Sequence, residues 1–222
     1  MPKVAVVLSG CGVFDGAEIH ESVITLLALD RAGAQVVIAA PFVDQAHVVN
    51  HQTGDVAGSE RRRVEVEAAR IARGEVLDLA QLRASDIDAI IFPGGFGAAK
   101  NLCSYAFDGA RLKINPEVAR ITVEMARAGK PIGTICIAPV MTAKALADAG
   151  IKATVTIGND EATAGHIRSF GAQHQSCAVH DVVVDNAHKV VSTPAYMLAG
   201  SIKEAAAGIE KLVAAVLGLC RS

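Results

Sequence analysis

The feature that most narrows the fold of this chain is a buried-strand pattern that runs straight into a cysteine and then into a helix pattern. Lys130 to Ile135 reads as a short apolar strand, Cys136 follows, and Met141 to Ala149 carries helix periodicity. A thiol so placed sits on a tight strand-to-helix turn at the carboxyl edge of a sheet. Open α/β sheets bind their ligands at that edge. The thiol also faces a helix N-terminus, whose partial positive charge favours thiolate, so a lowered thiol pKa is expected. Hydrolases expose a nucleophilic serine on a comparable turn. The plainer alternative is a small side chain filling a turn, since free cysteine is among the most buried residue types.

A second segment points to the same edge. Asp88 to Phe92 reads as a buried strand and ends in Pro93-Gly94-Gly95-Phe96-Gly97-Ala98-Ala99-Lys100-Asn101. Paired glycines after a strand let backbone N–H groups approach a bound group and point at a developing oxyanion. A glycine turn without a ligand is the alternative.

The remaining pattern alternates. Val4 to Leu8, Gln35 to Ala40, Glu75 to Leu79 and Lys152 to Ile157 read as strands, and Val179 to Val184 with Lys189 to Ser192 as a strand pair. Helices are expected over Glu18 to Arg31, Arg62 to Arg73, from Asn115-Pro116-Glu117 to Gly129, Asp160 to Phe170 and Ser201 to Leu219. In the first of these, Ile19, Val23, Leu26 and Leu27 share a face that would be the inner one. Asn115 caps its helix and Pro116 suits the first turn. His47 to Val56 is turn-rich and suggests a hairpin. Leu102 to Lys113 has little periodicity; it is a candidate lid or a surface insertion. Alternating strands and helices give an α/β fold with a doubly wound, mainly parallel sheet. The length suits one domain over 1–222.

Charge and cysteine usage exclude several function classes. The net charge is only −2 and the cations are scattered, which leaves no electrostatic footprint for nucleic acid or an anionic membrane. Arg61-Arg62-Arg63 is flanked by Glu60, Glu65 and Glu67 and reads as a solvated face. The five cysteines are Cys11, Cys103, Cys136, Cys177 and Cys220. The odd number and the absence of Cys-x-x-Cys argue against a disulfide framework or a zinc site, and a reducing, cytoplasmic setting is expected. Leu8-Ser9-Gly10-Cys11 resembles a lipoprotein cleavage box, but the apolar run before it is short and reads well as the first strand. Gly10-Cys11-Gly12 is half of a dinucleotide fingerprint. Asp15 holds the third glycine's place and no acidic residue ends the second strand, so Gly10 and Gly12 fit a small ligand or a tight turn better than a nucleotide. Cys11 is a candidate resolving thiol near Cys136, or simply a small residue.

Glu18 and Glu21 lie three apart at the start of the first helix, near one face. A carboxyl beside a thiolate holds its proton more tightly and can shuttle it to and from a substrate. Helix-dipole stabilisation is the alternative for both. His20 would turn outward.

Five stretches in order carry a resemblance across almost the whole chain: Leu8 to Val13, Glu18 to Glu21, Pro93 to Asn101, Cys136 to Pro139 and Thr193 to Met197. Together they resemble the PfpI-like, class I amidotransferase-like superfamily, and within it the ElbB-type glyoxalases, also called enhancing-lycopene-biosynthesis proteins. The resemblance implies a flavodoxin-like fold with a nucleophile-elbow cysteine at Cys136 and an acid–base glutamate at Glu21. It also implies a homodimer, a small dicarbonyl substrate and a link to isoprenoid biosynthesis. Gly94, Gly95 and Ile137 would hold the oxyanion, and neither metal nor other cofactor is called for. The pattern departs from neighbouring branches. PfpI-type peptidases carry histidine where Ile137 stands. Glutamine amidotransferases carry glycines where Thr134 and Ala138 stand, and use a late His-Pro-Glu that no histidine here opens. The expected activity is conversion of glyoxal to glycolate through a Cys136 hemithioacetal. The alternatives are a redox-sensing or partner-binding protein with an oxidisable Cys136, and a cysteine amidase or peptidase.

Overall fold

The computed structural model describes residues 1–220. In chain order its elements are β1 (Lys3–Val7), α1 (Ile19–Arg31), β2 (Gln35–Ala40), α2 (Val64–Ala72), β3 (Leu77–Asp78), β4 (Ala89–Phe92), α3 (Phe96–Lys100), α4 (Tyr105–Asp108), α5 (Pro116–Arg127), β5 (Ile132–Ile135), α6 (Ala138–Asp148), β6 (Thr154–Val155), α7 (Glu161–Ser169), β7 (Gln173–His174), β8 (Val183–Asp185), β9 (Val190–Thr193) and α8 (Ile202–Leu219). The central sheet runs β3-β2-β1-β4-β5-β9-β8. Every neighbouring pair in it is parallel except β8 and β9. β6 and β7 form a small parallel pair apart from it.

The inner strands are continuous Val, Ile and Ala runs because both of their faces are covered. Side chains alternate between two layers. Val4, Val6, Ile91 and Ile135 pack with Ile209, Leu212 and Val216 of α8. Ala5, Val7, Ile90, Phe92 and Ile132 pack with Ile121 and Met125 of α5 and Met141 and Leu146 of α6. The apolar run before Cys11 is thus β1, fully buried. Among the described residues, no helix is long and apolar enough to cross a membrane.

Strand order reverses beside β1, where β2 lies on one side and β4 on the other. The carboxyl ends of β1, β4, β5 and β9 converge there, at the switch point where ligands bind in open α/β sheets.

Three details differ from the sequence expectation. The first is the orientation of α1. Its buried residues are Glu21, Ser22, Thr25 and Leu29, whereas Ile19, Val23 and Leu27 are 43%, 48% and 42% exposed. The polar stripe can turn inward because it is satisfied there. Ser22 Oγ donates to Glu18 O at 2.6 Å and Thr25 Oγ1 to Glu21 O at 2.7 Å, and two backbone amides bond the Glu21 carboxyl. The second is Leu102 to Lys113, which contains α4 and is fastened to the body. Leu102, Cys103 and Leu112 are buried in the α5–α6 layer, and Tyr105 Oη lies 2.9 Å from His166 Nδ1 on α7. α6 also begins three residues earlier than its periodicity suggested, directly after the turn at Cys136.

Candidate active site

β5 ends at Ile135, and the next residue must reverse the chain into α6 without a connector. Cys136 does so with φ 62°, in the left-handed region that non-glycine residues rarely adopt. Its backbone N–H still donates to Thr193 O at 3.0 Å, continuing the β5–β9 ladder. The next residue, Ile137, caps α6, and Pro139 occupies the first turn. A strained non-glycine residue held between a strand ladder and a helix start is the kind of outlier that clusters at active sites.

Facing this turn, α1 presents Glu21. Its carboxyl is fully buried. Gly94 N–H donates to its Oε2 at 2.9 Å and Tyr196 N–H to its Oε1 at 3.2 Å. The carboxyl also stands beside the Cys136 thiol, close enough for each to act on the other's proton. The backbone N–H groups of Gly95 and Ile137 lie beside the same sulfur and favour its thiolate. A thiol, a carboxyl and two amide donors thus meet at one point, drawn from the start of α1 and the turns after β4 and β5.

The electrostatics correct one expectation. Burial, then the Glu21 carboxylate, push the Cys136 thiol well above its ordinary pKa, and the Gly95 and Ile137 N–H groups offset this only in part. The thiol is therefore not lowered as the helix N-terminus alone would suggest: desolvation of the charged form and a like charge outweigh the helix field. Burial, and secondarily the charge of Glu18, raise Glu21 from 4.5 to about 7, against the pull of the Tyr196 and Gly94 amides and the thiol. At neutral pH the sulfur keeps its proton and Glu21 is near its midpoint, so a carboxylate is available to take that proton.

Glu18 stands apart from the helix proper. It is the N-cap of α1, and its Oε2 accepts from Glu21 N at 2.7 Å. This is the structural role expected of an acidic residue at a helix start, and its charge also bears on Glu21.

Gly94 and Gly95 are required by close approach. A Cβ on Gly94 would lie 2.5 Å from Cys136 Cβ, 2.7 Å from Glu21 Oε2 and 2.9 Å from Ile135 O. Gly95 has φ 90° and ψ 162°, a region open essentially to glycine alone. Gly94→Ala should therefore destabilise the fold by about 1–3 kcal/mol through overpacking. It should also remove activity, because the added carbon lies between the thiol and the carboxyl. A urea midpoint equal to that of the parent protein would show that the loop can yield.

Other expected residues lie elsewhere. Gly10 and Gly12 have φ 111° and 127° and turn their open faces onto Gln45 and His51, so they serve a tight turn. That turn is clasped by Asn101, whose Nδ2 donates to Ser9 O and Asp15 O at 2.8 Å each and whose Oδ1 accepts from Ala46 N at 2.9 Å. Cys11 is half-buried on the side of α2. Burial raises its pKa first, and the charges acting on it are Glu67, Arg70 and Asp15. Nothing pairs it with Cys136. Among the described residues no histidine hydrogen-bonds to Cys136. His20 lies on Tyr196, His51 on Val49 O, His166 on Tyr105, His174 on Ile157 N and His188 on Asp185. His180 faces Asp181 and His47 packs edge-on against Phe107. The described residues hold no cluster of three or more His, Cys, Asp or Glu suited to a metal ion.

One group at the site, the Tyr196 N–H, went unread in the sequence, and His20 was read only as turning outward. Tyr196 N–H and His20 reach it from chain positions about 175 residues apart. The signals were Thr193 to Met197 and Glu18 to Glu21, two of the five stretches of resemblance.

Comparison with known proteins places this geometry. The chain is 48% identical to human glutamine amidotransferase-like class 1 domain-containing protein 3, mitochondrial, over 98% of this chain and 83% of the human protein. It is 47% identical to the rat ES1 protein homolog, mitochondrial, over 98% and 84%. Among solved structures, an isoprenoid biosynthesis protein with amidotransferase-like domain from Ehrlichia chaffeensis superposes with a TM-score of 0.92, at 37% identity and 99% coverage of both chains. Drosophila melanogaster DJ-1beta shares the fold with a TM-score of 0.56 at 19% identity, covering 99% of this chain and 95% of its own.

The relatives overturn the cytoplasmic expectation, because the human and rat proteins are named as mitochondrial. An odd number of cysteines without Cys-x-x-Cys spacing fits a reducing environment and does not by itself name the compartment. The DJ-1/PfpI family pattern matches residues 3–198, from β1 past Tyr196, and so takes in all four loops that build the site; the chain belongs to the DJ-1/PfpI family.

Proposed function

We propose that the chain is a cofactor-independent glyoxalase of the ElbB type, converting glyoxal to glycolate. The observation that carries this reading is the buried Cys136–Glu21 pair with two amide N–H groups beside the sulfur and, among the described residues, no histidine bonded to it. Such a pair can add to an aldehyde and then move a proton between adjacent carbons.

The steps balance with water as the only co-reactant. Sulfur bonds one aldehyde carbon while Glu21 takes the thiol proton and passes it to the aldehyde oxygen, giving a hemithioacetal. Gly95 and Ile137 N–H groups steady that oxygen as charge develops. Glu21, again a carboxylate, removes the C–H proton from the same carbon and returns a proton to the neighbouring one. The hydroxyl proton of the first oxygen is lost as the second oxygen gains one. The result is a glycolyl thioester, which water cleaves to glycolate and free thiol.

Product NMR of the purified protein with glyoxal and no added thiol is the direct test, and glycolate is the expected product. Its absence would end this reading. Cys136→Ala should abolish turnover, while Cys11→Ala should keep most of it because Cys11 faces Glu67 and Arg70 rather than the pair. Equal loss in both variants would point to a two-thiol mechanism.

The competing readings draw less support. Peptidase or amidase chemistry lacks the histidine that would relay the proton. Oxidation sensing needs an accessible thiolate, whereas Cys136 is 7% exposed with a raised pKa. The implied link to isoprenoid biosynthesis is consistent with the description of the Ehrlichia protein.

A further inference from the structure

The isomerisation step has a requirement that the Cys136–Glu21 pair does not meet. When Glu21 removes the C–H proton, the C–H electron pair becomes the carbon–carbon double bond. The carbonyl π pair then moves onto the second oxygen of the dicarbonyl. Gly95 and Ile137 N–H groups serve the oxygen beside sulfur, and Gly94 and Tyr196 N–H groups are taken by the Glu21 carboxyl. A further donor must face the second oxygen.

We propose that the Tyr196 hydroxyl, oriented by His20, is that donor and so selects a substrate with two adjacent oxygens. Tyr196 follows Ala195, a buried residue held at φ 41°. This local strain is what brings the Tyr196 N–H onto Glu21. The ring then reaches over the start of α1, and its Oη lies 2.8 Å from His20 Nδ1. The two rings are 5.8 Å apart and tilted by 46°. His20 Nδ1 is also 4.0 Å from Glu18 Oε1. In the tautomer that carries its proton on Nδ1, the imidazole donates to Tyr196 Oη and leaves the phenol O–H free to donate elsewhere. Burial, with Glu18 and Glu21 behind it, raises the Tyr196 pKa, which keeps the phenol protonated. Tyr196 is half-buried and His20 exposed, on the side of the fully buried Glu21 carboxyl that the Tyr196 N–H approaches. A substrate bonded to Cys136 and reached by Glu21 would extend its far end toward that side.

This role rests on the glyoxalase reading for its chemistry, and two measurements separate the two. The first is glycolate formation by Tyr196→Phe, expected to fall by about two orders of magnitude, the scale of losing one oxyanion donor. The second needs no turnover: protection of Cys136 from iodoacetamide by glyoxal and by propionaldehyde, which has only one oxygen. Tyr196→Phe should weaken protection by glyoxal by about tenfold, a single hydrogen bond's worth, and leave protection by propionaldehyde unchanged. His20→Gln should show the same selectivity with a smaller loss. If both aldehydes weaken together, Tyr196 only supports the fold and the proposal falls. If neither weakens and turnover is unchanged, the second oxygen is held by another group and the proposal falls. If the parent protein makes no glycolate but the selective loss of glyoxal protection is seen, the glyoxalase reading fails while Tyr196 stands as the second-oxygen contact.

Discussion

Glu21→Gln should lower glyoxal turnover by about two to four orders of magnitude, the usual scale of general acid–base catalysis, while the Cys136 hemithioacetal still forms and accumulates. Addition needs only that the thiol lose a proton. Solvent can take that proton slowly, and removing the Glu21 charge removes one of the two main causes that raise the thiol. The carbon-to-carbon proton shift has no such alternative, because the carboxyl is fully buried against the sulfur. Intact-mass spectrometry should therefore show an adduct that the parent protein turns over. Glu18→Gln should cost much less. Its amide oxygen can still accept from Glu21 N, and the loss of its charge should move Glu21 down toward its ordinary range, shifting the acid limb of the pH–rate profile to lower pH. A Glu21→Gln protein that makes glycolate at the parental rate would remove Glu21 from the mechanism.

The parts of this site that could be read from the chain are those that one segment specifies alone. The strand, cysteine and helix of Lys130 to Ala149 are contiguous, as are the strand and paired glycines of Asp88 to Gly95, and contiguous patterns are fixed by local sterics. Alternation of such units then implied the parallel sheet. The face of α1 was misread because Ile19, Val23 and Leu27 repeat every four residues whether a helix turns that stripe inward or out. The choice was made by partners far away in sequence, the Gly94 and Tyr196 amides that satisfy Glu21. The thiol pKa was misread for a related reason. A helix N-terminus can be inferred from Pro139 and the pattern after it, but burial of Cys136 to 7% exposure is a property of the packed whole. Gly10, Gly12 and Cys11 looked like site residues because they share a loop end with the site. Only the packing of Gln45 and His51 on one side and Glu67 and Arg70 on the other turns them away.

The raised pKa of Glu21 carries the second large effect, on stability rather than rate. A carboxyl that titrates at 4.5 when unfolded and about 7 when folded binds more protons in the folded state throughout that window. Its contribution is fully present below about pH 4.5 and is lost as pH rises through about 7, amounting to about 3 kcal/mol for a fully buried group. The protein should therefore lose stability between pH 5 and pH 8, where many proteins are near their maximum. Asp160, Asp181 and Asp185, whose pKa values are lowered from 3.8, lose their contribution only as pH falls below this window. The thiol of Cys136, raised further still, extends the loss to higher pH. His174, lowered mainly by burial, acts in the opposite sense near pH 6, so the parent profile alone does not isolate Glu21. Glu21→Gln does. Glutamine keeps one oxygen for the Gly94 or Tyr196 amide and turns an NH₂ toward the other, which costs about 1–3 kcal/mol at every pH. The charge penalty is absent, so the gap to the parent protein should be widest near pH 5 and should close, or reverse in favour of the variant, by pH 8. Urea denaturation at unit pH steps measures both profiles. Parallel profiles for the two proteins would mean that Glu21 does not change its protonation between pH 5 and pH 8, and its raised pKa would fall.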